Sequence, residues 1–347
     1  MPADPVALWM RRLALLGVLL CFTVVVLGAY VRLTAAGLGC PDWPGCYGHL
    51  SPLGAAASAG SPEYAARPLE AGKAWREMVH RYAAGTLALV ITAIAALAIT
   101  ARRRRPTSVA FALALFATVI VQALLGMLTV TEQLKPLFVT LHLLFGMTTL
   151  ALLWWLWLSL PAGSWRAAAL KRVDHSIRGG GASSIAAAWR LTLFGLAVLA
   201  VQIALGGWTS SNYAAVACPD LPTCQGSWWP HSDYRDAFAL AHGVDVDYEG
   251  GVLANPARVA IHLTHRLGAL ATTAALALAA VFVLRRRGPP SARLGAWAVL
   301  AALALQLTIA LTMVELGFPR WLATAHTAGA ALLLLATLAL LQALRSR

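Results

Sequence analysis

Apolar and polar residues alternate along the chain in long blocks, giving eight apolar runs separated by polar breaks. The runs cover approximately 13–34, 78–100, 108–130, 137–160, 190–211, 259–284, 294–315 and 321–343. Each reaches the ~20 residues a helix needs to cross about 30 Å of hydrocarbon. Two longer polar stretches, at about 36–76 and 212–257, interrupt the series. The pattern predicts an all-α integral membrane protein with eight transmembrane helices. Arg11-Arg12 precede the first run, and no small-residue cleavage site of the Ala-x-Ala kind accompanies it, so it is expected to be a retained helix.

The runs carry an internal repeat. Cys40-Pro41-Asp42-Trp43-Pro44-Gly45-Cys46 returns 178 residues later as Cys218-Pro219-Asp220-Leu221-Pro222-Thr223-Cys224. His80-Arg81 returns as His265-Arg266 after 185 residues, and Gln122 and His142 return as Gln306 and His326 after 184. Gly28 and Gly206 each stand 12 residues before the first cysteine of their motif. A four-helix unit begins and ends on one side of the membrane, so its two copies enter in the same sense, as parallel repeats. The expected organisation is two parallel four-helix-bundle repeats, residues 1–160 and 190–347. A cytoplasmic linker at 161–189 joins them, and its Lys171, Arg172, Arg178 and Gly179-Gly180-Gly181 read as flexible and solvated.

Composition supports lipid as the main solvent: 59% of the 347 residues are hydrophobic and 12% charged, against about 25% charged in soluble domains. The net charge of +13 is distributed in a way that excludes a nucleic-acid surface. Clusters at Arg11-Arg12, Arg102 to Arg105, Arg166 to Arg190, Arg285 to Arg293 and Arg345 with Arg347 hold 17 of the 27 Lys and Arg. With alternating helices they all fall on one side, while 12 of the 14 acidic residues fall on the other. This positive-inside bias predicts cytoplasmic termini and extracytoplasmic cysteine loops, in a membrane of the bacterial inner type.

His80, His142, His265 and His326 fall roughly five residues inside the outer ends of helices 2, 4, 6 and 8, some 5–10 Å below the interface. Ionisable side chains there are costly, and usually functional. A lone histidine reads most simply as an interfacial side chain bonded to a carbonyl. Four at matched depth, repeat-related, point to ligands, because facing helices of a bundle hold haem axially through such pairs. Other metals are disfavoured, since neither pair has a third or fourth ligand beside it. Arg81 and Arg266 lie on the outer side, against the charge bias. A guanidinium suits a haem propionate, and it equally suits an arginine snorkelling to the interface. His49, His175, His231 and His242 fall in loops and are expected to be solvated; Trp154, Trp155 and Trp157 fit an interfacial aromatic belt.

The repeat is broken at one informative position. Glu77 stands three residues before His80, and His262 three before His265, each on the face of its histidine. A carboxylate beside a haem can act as a base or stabilise developing positive charge. An acid in the first turn of helix 2 would also be favoured by the helix dipole. The asymmetry nominates the N-terminal half for chemistry and the C-terminal half for a permanent cofactor; His262 has no firm account. Among the cysteines, Cys21 reads as a buried small residue. The pairs Cys40–Cys46 and Cys218–Cys224 are disulfide candidates on an oxidising exterior, or redox-active dithiols. A structural bridge is the better reading for the second pair, and both stay open for the first.

Together, Glu77-Met78-Val79-His80-Arg81, both Cys-Pro-Asp-x-Pro-x-Cys loops, His142, His265-Arg266 and His326 resemble the haem A synthase family, from Arg32 to the last helix. The resemblance implies oxidation of the C8 methyl of haem O to a formyl group, giving haem A for terminal oxidases. It implies two successive hydroxylations with water-derived oxygen and loss of water from the gem-diol. It also implies Glu77 as the catalytic carboxylate, His80 and His142 as ligands of the substrate haem O, and His265 and His326 as ligands of a resident haem B. Expected partners are haem O, haem O synthase, membrane lipid and an electron acceptor that the sequence does not identify; homo-oligomers are compatible with it. Two rival readings are a di-haem b-type electron-transfer protein and a haem or lipid transporter.

Overall fold

Lipid gives a backbone amide no water to bond, so a segment crossing it must satisfy its N–H and C=O groups internally, as a helix does. Alanine and leucine, both strong helix formers, fill the apolar runs. The computed structural model describes residues 5–103, 107–160, 182–240, 242–243, 246–286 and 289–345. Its long helices are α1 (Pro5–Leu33), α2 (Ala71–Thr100), α3 (Val109–Thr131), α4 (Pro136–Ser159), α5 (Ala182–Ser211), α6 (Asn255–Arg285), α7 (Pro290–Glu315) and α8 (Arg320–Ala343). Among the described residues these eight are long and apolar enough to cross a membrane, with mean hydropathy of 1.8 to 2.6 in their most apolar windows. No strand occurs among those residues.

The eight expected spans are found, and several are longer than expected. Helices α1 and α5 begin eight residues earlier, at Pro5 and Ala182, and α2 begins seven earlier, at Ala71. Hydropathy finds where the hydrocarbon starts, whereas a helix continues into the polar zone until a breaker or cap stops it. The expected linker at 161–189 is therefore shortened: 182–189, rich in alanine, is the first part of α5. The remainder of that linker, with Lys171, Arg172, Arg178, His175 and the three glycines, lies outside the described residues, as do Arg104, Arg105 and Arg347. Proline opens α4 and α7, where its missing N–H is one no helix would use.

Helix α1 packs on α2 and α4, and α3 packs on α2 and α4, closing a ring of four. Helices α5 to α8 close a second ring through α5 with α6, α6 with α7, α7 with α8 and α8 with α5. The rings meet along a seam in which α1 touches α8, α4 touches α5, and α4 touches α8. Specific bonds stitch this seam: Trp154 Nε1 donates to the Leu335 carbonyl at 2.9 Å, and Arg32 donates to the Ser210 carbonyl at 2.8 Å while stacking on Tyr213. Between the long polar loops of the two halves Arg67 pairs with Asp247 at 2.7 Å and Glu249 at 3.0 Å. Left-handed backbone recurs at Ala35 and Tyr213, at Tyr47 and Gln225, and at Leu134 and Phe318.

Candidate functional site

Each half brings two histidines together from two helices. His80 on α2 and His142 on α4 have ring centres 6.5 Å apart, with their planes 71° to one another. His265 on α6 and His326 on α8 stand 6.4 Å apart at 79°. They lie deeper along their helices than expected: His80 is nine residues past Ala71, His265 ten past Asn255, and His142 and His326 six past their helix starts. Small residues make the space. A Cβ on Gly28 would come 3.0 Å from the His80 ring, on Gly206 3.2 Å from His265, and on Gly126 3.1 Å from His142. Nδ1 of His80, His142 and His326 is buried and has no hydrogen-bond partner. Buried polar atoms in a folded protein are nearly always satisfied.

These features fit a haem held axially. A nitrogen–metal bond of about 2 Å on each side sets two imidazole centres roughly 6 Å apart, as both pairs are. Among the described residues no group of three or more His, Cys, Asp or Glu could hold a metal ion, so a tetrahedral centre has no donors here. A polar cleft of about 100 Å³ among the loops, lined by Gly39, Arg67, Glu70, Lys73 and Glu249 among others, is far below the ~300 Å³ at which ligand pockets begin.

Glu77 is only 4% exposed. Its carboxylate accepts from the Cys40 N–H at 2.8 Å and from Arg81 at 2.5 Å. Because α2 starts at Ala71, Glu77 sits in the second helical turn, which removes the first-turn dipole as an account of it. Arg81 also donates to the carbonyls of Asp42, Pro44 and Gly45. Arg266 does the same to Cys218, Asp220 and Thr223, at 2.7–2.9 Å. Both guanidinium groups are thus directed at the loops rather than merely reaching for the interface. His262, in Glu77's place, is 5% exposed, lies edge-on to Phe318 at 6.1 Å, and leaves Nδ1 without a partner.

The loops are alike. Cys40–Cys46 and Cys218–Cys224 are both disulfides, with Cα atoms 4.7 and 4.6 Å apart. Asp42 accepts from the Tyr47 and Gly48 amides, and Asp220 from those of Gln225 and Gly226. The Thr223 hydroxyl and the Gly226 amide hold the Asp220 carboxyl below the ordinary carboxylate range. Cys21 is buried and free, as expected. Two loop histidines expected to be solvated have partners: His49 meets Ser58 at 2.8 Å and His242 faces Asp236 at 3.4 Å. Polar groups in a compacted loop find one another once the loop folds, which residue order alone does not reveal.

Sequence reasoning used Gln122 and Gln306 only as landmarks of the repeat, and missed Gln202. In the structure all three lie against a histidine. Gln122 donates to the His142 carbonyl at 2.9 Å, Gln202 to the His265 carbonyl at 3.0 Å with its amide nitrogen 3.1 Å from that ring, and Gln306 lies 3.3 Å from the His326 ring. An amide within a hydrocarbon-length helix was the available signal.

A family model described as cytochrome oxidase assembly protein matches residues 11–338. The chain is 38% identical to a protein of Shewanella oneidensis named heme A synthase, over 334 residues covering 94% of this chain and 93% of the relative. It is 29% identical to a protein of Caulobacter sp. (strain K31) with the same name, over 351 residues covering 95% and 93%. These matches agree with the resemblance drawn from the motifs and give no support to an electron-transfer cytochrome.

Proposed function

The chain belongs to the cytochrome oxidase assembly protein family, and on that premise we propose that it is a haem A synthase, an oxidoreductase that oxidises the C8 methyl of haem O to a formyl group. The observation that carries the reading is the pair of histidine couples, with matching ring separations of 6.5 and 6.4 Å, of which one alone has a buried carboxylate beside it. His80 and His142 would hold the substrate haem O, and His265 and His326 a resident haem B that relays electrons. The name borne by both relatives supports the activity; the division of labour rests on the asymmetry between Glu77 and His262.

Glu77 would take a proton or balance positive charge developing next to His80. Arg81 and the Cys40 amide hold its carboxylate in place. With loop carbonyls occupying most of each guanidinium, Arg81 and Arg266 would offer propionates only their remaining N–H. The oxygen of the formyl group would come from water, and haem O synthase is the natural donor of substrate.

We also propose a parallel duplication with termini cytoplasmic and cysteine loops extracytoplasmic. Three features support the duplication: the ring of four in each half, the left-handed residues at matched positions, and a seam whose bonds join residues about one repeat apart, Arg32 to Ser210 and Trp154 to Leu335; the sidedness rests on the clustering of Lys and Arg. A two-fold axis produces such self-matching contacts.

The test is chromatography of haems extracted from membranes that co-express this chain with a haem O synthase. A formyl-bearing haem A peak that disappears without this chain is the expected result. Haems B and O alone, with the protein present and loaded, would overturn the reading.

A further inference from the structure

Three of the four histidines share a supporting device, and the fourth lacks both of its parts. The device is a glutamine on the neighbouring helix with a glycine that makes room for it. Gln202 donates to the His265 main-chain carbonyl and lies 3.1 Å from its ring, and a Cβ on Gly268 would stand 2.2 Å from the Gln202 oxygen. Gln306 lies 3.3 Å from the His326 ring, and a Cβ on Gly329 would stand 2.1 Å from its oxygen. Gln122 holds the His142 carbonyl, and a Cβ on Gly146 would come within 3.3 Å of its nitrogen. No side chain could be added at Gly268 or Gly329 with the amide in place.

At His80 the amide and the glycine are both absent. Gln202 stands four residues before Gly206, the residue against His265, and the residue four before Gly28 is Val24. Gly268 stands three residues after His265, and the residue three after His80 is Ala83. Val24 is packed against the apolar core, and its side chain has no donor to offer the His80 ring or carbonyl as Gln202 does for His265 and Gln122 for His142. Groups that orient a metal-bound histidine from behind typically change ligand affinity by 10- to 100-fold when removed.

Building on the haem reading above, we propose that His80 is the exchangeable axial ligand of the four, and that Gln122, Gln202 and Gln306 are positioning residues that make the other three permanent. Glu77 stands one helical turn before His80 on the same helix. Exchange here is breakage of one dative bond, with the electron pair returning to the imidazole nitrogen. It leaves His142, held by Gln122, as the retained ligand.

The test uses the full-length protein in detergent, with haem identity read by extraction. Carbon monoxide added to the reduced protein reports a vacated axial position spectroscopically, independently of turnover. In the wild type, CO is expected to bind the haem of the N-terminal half and not the haem B of a sample prepared without haem O synthase. V24Q/A83G, which installs the missing device, is expected to lower CO occupancy at the N-terminal site about tenfold, the equilibrium equivalent of one ordinary hydrogen bond. Q202V/G268A, which removes it, is expected to make the resident haem B bind CO, with a changed low-spin electron-resonance signature. If V24Q/A83G fails to load haem, Q202V/G268A decides alone: no gain of CO binding overturns the proposal. Equal CO binding at both sites of the wild type overturns it too. Haem A formation by the wild type is measured in parallel, so a failed ligand asymmetry and a failed enzyme assignment are told apart.

Discussion

Replacing Glu77 by glutamine separates the charge of this residue from its shape. In the structure the carboxylate accepts from the Cys40 amide at 2.8 Å and from Arg81 at 2.5 Å, with almost no solvent access. Glutamine keeps one acceptor oxygen and turns an NH2 toward the other donor. The loss is about one charge-assisted hydrogen bond, together with the counter-charge of a half-buried guanidinium, or roughly 2–4 kcal/mol. Alanine would remove both acceptors and cost more, about 3–5 kcal/mol, so it confounds chemistry with folding. Eight lipid-embedded helices do not depend on this one contact for insertion. Glu77→Gln should therefore accumulate in the membrane with its haem, unfold more readily in detergent, and form no haem A. Immunoblotting, extracted-haem chromatography and thermal unfolding of the purified protein measure the three. Wild-type haem A formation by Glu77→Gln would remove the charge from the mechanism, and unchanged unfolding would refute the role of Glu77 in holding the loop.

His265→Ala and His326→Ala are each expected to lose the resident haem B; full haem B content in both would mean the halves are assigned the wrong way round. Gly206→Val puts a branched side chain where a Cβ alone would come within 3.2 Å of His265, and should leave a folded protein with haem B depleted, read from the ratio of haem absorbance to protein. Opening Cys218–Cys224 with a double serine variant should cost about 2 kcal/mol through the closed-loop entropy, seen as a lower unfolding midpoint without loss of helix content by circular dichroism. Asp220 is held below its ordinary pKa, so its contribution to the loop is complete above about pH 4 and fades as pH falls through the lowered folded value. Protection factors of the Gln225 and Gly226 amides against hydrogen exchange should fall on that acid limb, and Asp220→Asn should abolish the dependence.

The spans, the repeat and the four histidines were legible because each leaves a one-dimensional mark: a run of hydrocarbon length, a constant offset, an ionisable residue where lipid penalises it. What lay hidden was set by contacts between helices. Arg81 looked free to meet a propionate, and only the folded loop shows three carbonyls in its path. Gln202 has no counterpart at Val24, so a search for matched positions passed over it. The true starts of α1, α2 and α5 were missed because propensity carries a helix past the point where hydrocarbon ends.

The grip of Arg81 and Arg266 on the cysteine loops also bears on traffic. Each loop covers the outer end of a bundle and is fastened to the very helix that carries a histidine, one residue along from it. A roof nailed to its own wall moves with that wall, so each loop is tied to the helix whose histidine it lies beside. The polar cleft among the loops, at about 100 Å³, is too small for a macrocycle. For the flat guest with an isoprenoid tail proposed above, a path between apolar helices would keep that tail out of water throughout.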